Sequence, residues 1–216
     1  MQTLDSFRLE ELFETVPSWL SEAFERMPTD RYIPLGYRSR RLSRFHVNEN
    51  QIEPLPHAAY VQDGERGYNT LLGNVERWFE EIEPTIVGSV GFRALVLRFI
   101  ALCGVGGTEI SVNVHLIRNA CKTGQPGFPA PEGVHRDGFD WVGILCVALH
   151  NVIGAETTLY RSTNKDPIFR QSLAPGQLLI VDDAHLLHYT SPIEVSRGSE
   201  GFRDVVILTA NGGMRS

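Results

Sequence analysis

The sequence predicts a mainly β protein with some α, built as an N-terminal helical layer packed on a C-terminal β-barrel or sandwich. Three observations lead there. From Ala94 onward the chain is a series of eight short β-rich runs, near 94–103, 109–119, 133–137, 141–150, 156–161, 177–181, 186–195 and 203–210, separated by Gly, Pro and Asn. Many short runs with turn punctuation are the pattern of a sandwich or barrel. Before them, apolar residues recur at three- and four-residue steps, the period of a helix face. Finally, 42% hydrophobic and 21% charged residues, with 11 Phe, 6 Tyr and 3 Trp, supply a core and exclude disorder as the main state. The 216 residues read as one domain, with the helical layer over 1–90 and the barrel core over 91–212.

Residues 6–27 are expected to be helical, because Leu9, Leu12, Phe13, Val16, Leu20 and Phe24 repeat at helical spacing. Pro17 divides them into two short helices and Pro28 closes them. In residues 37–46, Arg38, Arg40, Leu42 and Arg44 alternate with Ser39, Arg41, Ser43 and Phe45. Three readings stand: a basic nucleic-acid patch, an extended segment whose arginines pair with the acidic excess, or an anion-binding wall. Residues 69–83 are expected to form an amphipathic helix presenting Leu72, Val75, Trp78, Phe79 and Ile82, ended by Pro84. Gly104-Val105-Gly106-Gly107 has no Lys-Ser/Thr after it and reads as a turn, not a phosphate loop.

The net charge of -6 gives no general attraction for phosphate backbones, so nucleic acid is a poor partner. The longest apolar stretch, Val142 to Leu149, is far short of the ~20 residues that span a bilayer. The N-terminus has no basic segment followed by an apolar run. Cys103, Cys121 and Cys146 are odd in number and widely spaced, as free thiols in a reducing compartment are. A cytoplasmic protein is expected, with no membrane partner.

Among seven histidines the informative one is His135, in Pro131-Glu132-Gly133-Val134-His135-Arg136-Asp137-Gly138. On a strand, residues i and i+2 share a face, so His135 and Asp137 offer an imidazole and a carboxylate to one ion. Alone the pair is weak, since seven His and nine Asp give about 0.3 such matches by chance. A third ligand must return from a distant strand. The segment 177–192 offers His185, in a turn, and His188, in the re-emerging strand with Thr190 on its face; the spacing favours His188. Fifteen residues later, Arg203 shares a strand face with Val205, Ile207 and Thr209, where a guanidinium needs an anion, from a ligand or from the protein.

That order of residues, together with Asn151 through Glu156 and Arg203-Asp204-Val205, resembles the Fe(II)/2-oxoglutarate dioxygenases. It is most similar to the small bacterial branch that includes L-isoleucine 4-hydroxylase and the stress- and biofilm-associated BsmA-like proteins. The resemblance spans about residues 31–210, and Tyr60, Gln62 and Asn69 fall on further family positions. It implies a double-stranded β-helix, the jelly-roll barrel shared with cupins. It implies Fe(II) held by His135, Asp137 and His188, and 2-oxoglutarate held by Arg203 with Thr190. It implies an iron-centred hydroxylation with no separate acid or base, using O2 and a small polar substrate, a free L-amino acid. Arg136, Tyr189 and Ala155 differ from the residues common there in relatives, and isoleucine itself is not carried over. His115, Asn113, Arg136, Tyr60 and Asn69 are the expected substrate-side residues, with Arg38, Arg40 and Arg44 as further partners for a carboxylate. Two rivals remain: a non-catalytic β-barrel that binds a metal or small ligand in a stress or biofilm role, and a cupin-like metalloenzyme that needs no 2-oxoglutarate and tolerates Arg203→Ala. The oligomeric state is not encoded in any of these features.

Overall fold

A computed structural model describes residues 6–49, 51–62, 71–105, 110–162 and 166–212. In chain order the elements are β1 (Phe7–Glu11), α1 (Ser18–Glu22), β2 (Arg38–Asn48), β3 (Gln51–Pro54), α2 (Pro84–Val87), α3 (Val90–Cys103), β4 (Ile110–Lys122), β5 (Trp141–His150), β6 (Val152–Gly154), β7 (Glu156–Tyr160), β8 (Phe169–Ser172), β9 (Gln177–Asp182), β10 (Leu187–Thr190), β11 (Ile193–Val195) and β12 (Glu200–Asn211). A seven-stranded antiparallel sheet runs β1-β9-β5-β12-β4-β2-β3. Facing it are a three-stranded sheet, β10-β7-β8, and the pair β11-β6. These are the walls of a jelly-roll, a double-stranded β-helix.

The large sheet is apolar on both faces, for different reasons. Its outer face carries Val112, Val114, Leu116, Val206 and Leu208, packed under Phe92, Leu95, Val96 and Phe99 of α3. Burying each such side chain contributes about 1.5–3 kcal/mol. Gly143 of β5 leaves the notch that Phe99 fills, since a Cβ there would lie 2.8 Å from the ring. Its inner face carries Val142, Ile144 and Ile207, which meet Leu159 and Leu186 from the opposite wall.

The N-terminal half departs from expectation. Phe7–Glu11 is not helical but an edge strand paired with β9, from Phe7 opposite Val181 to Glu11 opposite Gln177; Phe7 and Leu9 face the core while Arg8 faces water. Only Ser18–Glu22 of that segment is helix. The helix expected over 69–83 is also absent. Residues 69 and 70 lie outside the described residues, 71–74 form a turn, and the chain then runs extended with Arg77 bridged to Tyr60. Its supposed apolar face is divided: Phe79 and Ile82 are buried, while Val75 and Trp78 are exposed, Trp78 by 47%. Conversely, Ala94–Cys103 is helix where a strand was expected. Ser89 Oγ accepts from the Phe92 amide at one end, and Gly104, at φ 65, closes the other. Among the described residues of 1–90 strand therefore exceeds helix, and the main helix lies inside the segment expected to be barrel.

From residue 110 onward the β-rich runs coincide with strands, with two refinements. The run at 186–195 is split by Ser191-Pro192 into β10 and β11, and in the run at 133–137 only His135 pairs. No helix among the described residues is long and apolar enough to cross a membrane.

Candidate metal centre and anion pocket

His135 pairs with His188 through two main-chain bonds, His135 N to His188 O at 3.0 Å and His188 N to His135 O at 2.8 Å. Residues opposed in this way put their side chains on the same face, and the two imidazole centroids lie 4.4 Å apart. Asp137, two residues on, joins them. Donor atoms of His135, Asp137 and His188 all lie within 4.8 Å of one another, the one such cluster among the described residues. Two imidazoles and a carboxylate are a donor set suited to Fe(II).

The surroundings orient these donors. His135 Nδ1 donates to Gly133 O at 2.9 Å, which leaves Nε2 for a metal. Without metal, Nε2 lies 3.0 Å from Glu132 Oε1 and 3.6 Å from Asp137 Oδ1. Burial opposes charge on that ring, but the neighbouring carboxylates of Asp137 and Glu132 outweigh it and raise its pKa to about 9. Burial also pushes the Asp137 carboxyl up, yet the hydrogen bond from His135 and the nearby imidazoles hold it well below the usual carboxylate range. Asp183, fully buried, accepts the main-chain N–H groups of Asp137, Gly138 and Phe139 at 2.8–3.2 Å, and its Oδ1 lies 3.4 Å from His188 Nδ1. It braces the Asp137 loop and lies beside His188.

The cluster opens on a cavity between the two walls. Arg38, Arg40, His115, Ile117, Asn119, Arg203, Val205 and Ile207 line it from the large sheet, and His188 and Thr190 from the small one. Tyr60, Gln62, Arg77 and Glu132 close it. Arg203 is 3% exposed and its Nη2 has no partner among the described residues. Burial lowers its pKa from the ordinary value. Thr190 Oγ1 lies 3.3 Å from Thr157 Oγ1. Arg38 donates to Asn119 Oδ1 and to the carbonyls of Phe128 and Pro129. Gln62 Nε2 donates to Asp137 Oδ1 at 2.9 Å, and Gln62 Oε1 accepts from Arg77 at 2.6 Å.

The residues expected from sequence divide accordingly. His115, Tyr60, Arg203 and Thr190 share the cavity with the metal cluster. His185 does not; it is exposed and bonds Asp182 at 2.8 Å. Asn113 shares a strand face with His115 but lies outside the cavity lining, bonded to Thr209, with Arg44 opposite it in register. Two residues along a strand is about 7 Å, enough to pass the cavity's end. Arg44 turns to Pro56 O instead. Arg136 is also outside the lining, as i+1 from His135 faces away. Asn69 lies outside the described residues. Of the arginine stretch, the inward members Arg38 and Arg40 line the cavity, whereas outward Arg41 pairs with Glu80. Arg77, Glu132 and Asp183 were not singled out from sequence. Only the Asp182-Asp183 doublet before the turn hinted at the last.

Residues 21–209 match the model of the 2OG-Fe dioxygenase family. The chain belongs to that family. A 2OG-Fe dioxygenase is an enzyme that uses Fe(II), 2-oxoglutarate and O2, and the His-Asp-His cluster accords with that requirement. Among solved structures, a bsmA homolog from Methylobium petroleophilum PM1 is 27% identical, covers 92% of this chain and 82% of its own, and superposes with a TM-score of 0.77. IDO from Bacillus thuringiensis is 18% identical over 91% of this chain and 84% of its own, TM-score 0.73. The Fe(II)/(alpha)ketoglutarate-dependent dioxygenase TqaL is 15% identical over 96% and 83%, TM-score 0.72. The last two share the fold. A search of curated proteins by sequence finds no match.

Proposed function

We propose that this dioxygenase is a single-domain hydroxylase of a free L-amino acid, with His135, Asp137 and His188 as its iron ligands and Arg203 and Thr190 as its 2-oxoglutarate site. The observation that supports this most is the juxtaposition of the three metal donors with a buried guanidinium that has an unpartnered Nη2, on one cavity. The resemblance to the isoleucine-hydroxylating branch motivates the amino-acid substrate.

When bound, iron and 2-oxoglutarate supply the oxidising chemistry: R–H + O2 + 2-oxoglutarate gives R–OH + succinate + CO2. The chain does the rest. His135 is held in one tautomer by Gly133 O. Asp183 fixes the Asp137 loop and faces His188. Arg203, with its unpartnered Nη2, would take the distal carboxylate of 2-oxoglutarate. Val142, Ile144, Val205 and Ile207 make their part of the cavity apolar, which disfavours water there. His115 and Tyr60 stand on the substrate side.

Anaerobic titration of metal-free protein with Fe(II) and then 2-oxoglutarate tests this. Wild type is expected to develop the visible charge-transfer band of the chelate. His188→Ala is expected to lose it, and Arg203→Ala to need about 10–100 times more 2-oxoglutarate. No band in iron-loaded wild type overturns the reading.

A further inference from the structure

Four arginines line the cavity, and two of them keep buried donors that no group already assigned accepts. Arg203 is matched by 2-oxoglutarate. Arg38 spends its donors on Asn119 and two carbonyls. Arg40 and Arg77 are different. They are 8% and 2% exposed, and neither has a carboxylate partner among the described residues. Arg40 Nη2 donates to His115 Nδ1 at 2.7 Å, and Arg77 Nη2 to Gln62. The Nε of each is buried without a partner. Both guanidiniums lie over the Tyr60 ring, at 5.4 and 5.0 Å from its centre, which attracts cations but cancels no charge.

His115 adds a third donor. A guanidinium only donates, so His115 Nδ1 is the acceptor and its proton sits on Nε2. That Nε2 is also buried without a partner. Burial and the adjacent Arg40 push the His115 pKa well below its ordinary value, which keeps this neutral form. The carboxylates of Asp137, Glu132, Asp183 and Asp30 lie in the same region, but none of them bonds Arg40 or Arg77, whose Nε atoms stay buried without a partner. Buried charge left unpaired is strongly unfavourable.

We propose that Arg40, Arg77 and His115 form a second anion subsite, which takes a carboxylate of the molecule to be hydroxylated. It is separate from the carboxylate site at Arg203. Gln62 joins it to the metal centre, bonding Arg77 on one side and Asp137 on the other. A substrate carboxylate held at Arg77 is thus one amide side chain away from a metal ligand. The substrate class is a small carboxylic acid. The inference rests on the dioxygenase reading for the role of the bound acid as substrate, and not for the donors themselves.

The test uses wild-type protein with Mn(II) and 2-oxoglutarate, and separately the metal-free protein, read by thermal unfolding and calorimetry. The probes are the proteinogenic L-amino acids, their primary amides, the matching 2-hydroxy acids and simple mono- and dicarboxylic acids. At least one acid is expected to bind about tenfold or more tightly than its amide. In Arg40→Gln and Arg77→Gln that preference is expected to fall towards one, and in Arg40→Lys and Arg77→Lys to be partly restored. If a Gln variant does not fold, the acid–amide comparison in wild type still decides. Equal binding of acid and amide, full preference in both Gln variants, or no acid bound at all overturns the subsite. Preference for 2-hydroxy acids over amino acids supports the subsite and overturns the amino-acid reading. A missing Fe(II)/2-oxoglutarate band overturns the dioxygenase reading, while the acid–amide preference of the metal-free protein is judged independently.

Discussion

Neighbouring residues on β12 carry charge in opposite ways. Asp204 points to the helix-covered side of the sheet and meets Arg118 in a two-pronged pair, at 2.6 and 2.7 Å, with the guanidinium over the Phe202 ring. Arg203 points to the cavity and meets no carboxylate among the described residues. The outer face satisfies its charges within the protein, while the inner face leaves them for something that arrives. The same division separates His185, exposed and paired with Asp182, from His188, buried among the metal donors. A fold can bear such unpaired groups at a functional site because the packing elsewhere holds them in place.

The largest effect that would sharpen this contrast is on metal affinity. In the metal-free protein His135 holds a proton up to about pH 9, against about 6.5 for an unperturbed ring. Its pairing with Asp137 and Glu132 therefore stabilises the metal-free fold fully below about pH 6.5 and is lost as pH rises through 9. A metal displaces that proton, so anaerobic Mn(II) titrations are expected to tighten about tenfold per pH unit between 7 and 9 and then level. Affinity independent of pH over that range would place no proton on the ring.

Next comes the pair of arginines. Arg118→Met strands the buried Asp204 carboxylate and is expected to cost about 2 kcal/mol, lowering the unfolding midpoint by about 5 °C. Arg203→Met removes a charge with no protein counter-ion and is expected to stay within about 1 kcal/mol of wild type, or above it. Equal losses in the two variants would break the comparison. The smallest effect is His185→Ala, expected within about 0.5 kcal/mol and without change in the metal titration, as an exposed ion pair contributes little.

Much of this was legible beforehand, and unevenly. The metal cluster follows from local rules: period two puts His135 and Asp137 on one face, and a strand re-emerging from a turn brings back His188. Arg203 was visible as a charge on an apolar face. The arginine at 77 was not, because its place depends on a bridge to Tyr60 that no short-range pattern encodes. Arg40 was visible as one of three alternating arginines, Arg38, Arg40 and Arg44, expected to meet a carboxylate; the cavity takes the first two and not the third. Two segments were misread for opposite reasons. Ala94–Cys103 exposes one face, at Ala94, Arg98 and Ala101, but two of those three residues are Ala, so the run reads as apolar throughout and hides its period; the Ser89 cap and Gly104 stop were the better signals. Phe7–Glu11 does alternate, but the helical spacing of Leu9, Leu12 and Val16 overshadowed a five-residue strand.

The two main-chain bonds between His135 and His188 do not depend on what side chains those residues bear. The backbone there acts as a jig: whatever is mounted at 135, 137 and 188 is presented to the same point. Exchanging the carboxylate at 137 for another donor, or an imidazole for a thiolate, alters the chemistry of the seat while leaving the seat itself where it is. The position of the reaction in the barrel and the choice of ion are therefore separable, one set by the main-chain bonds and the Asp183 carboxylate that holds the 137 backbone, the other by three side chains.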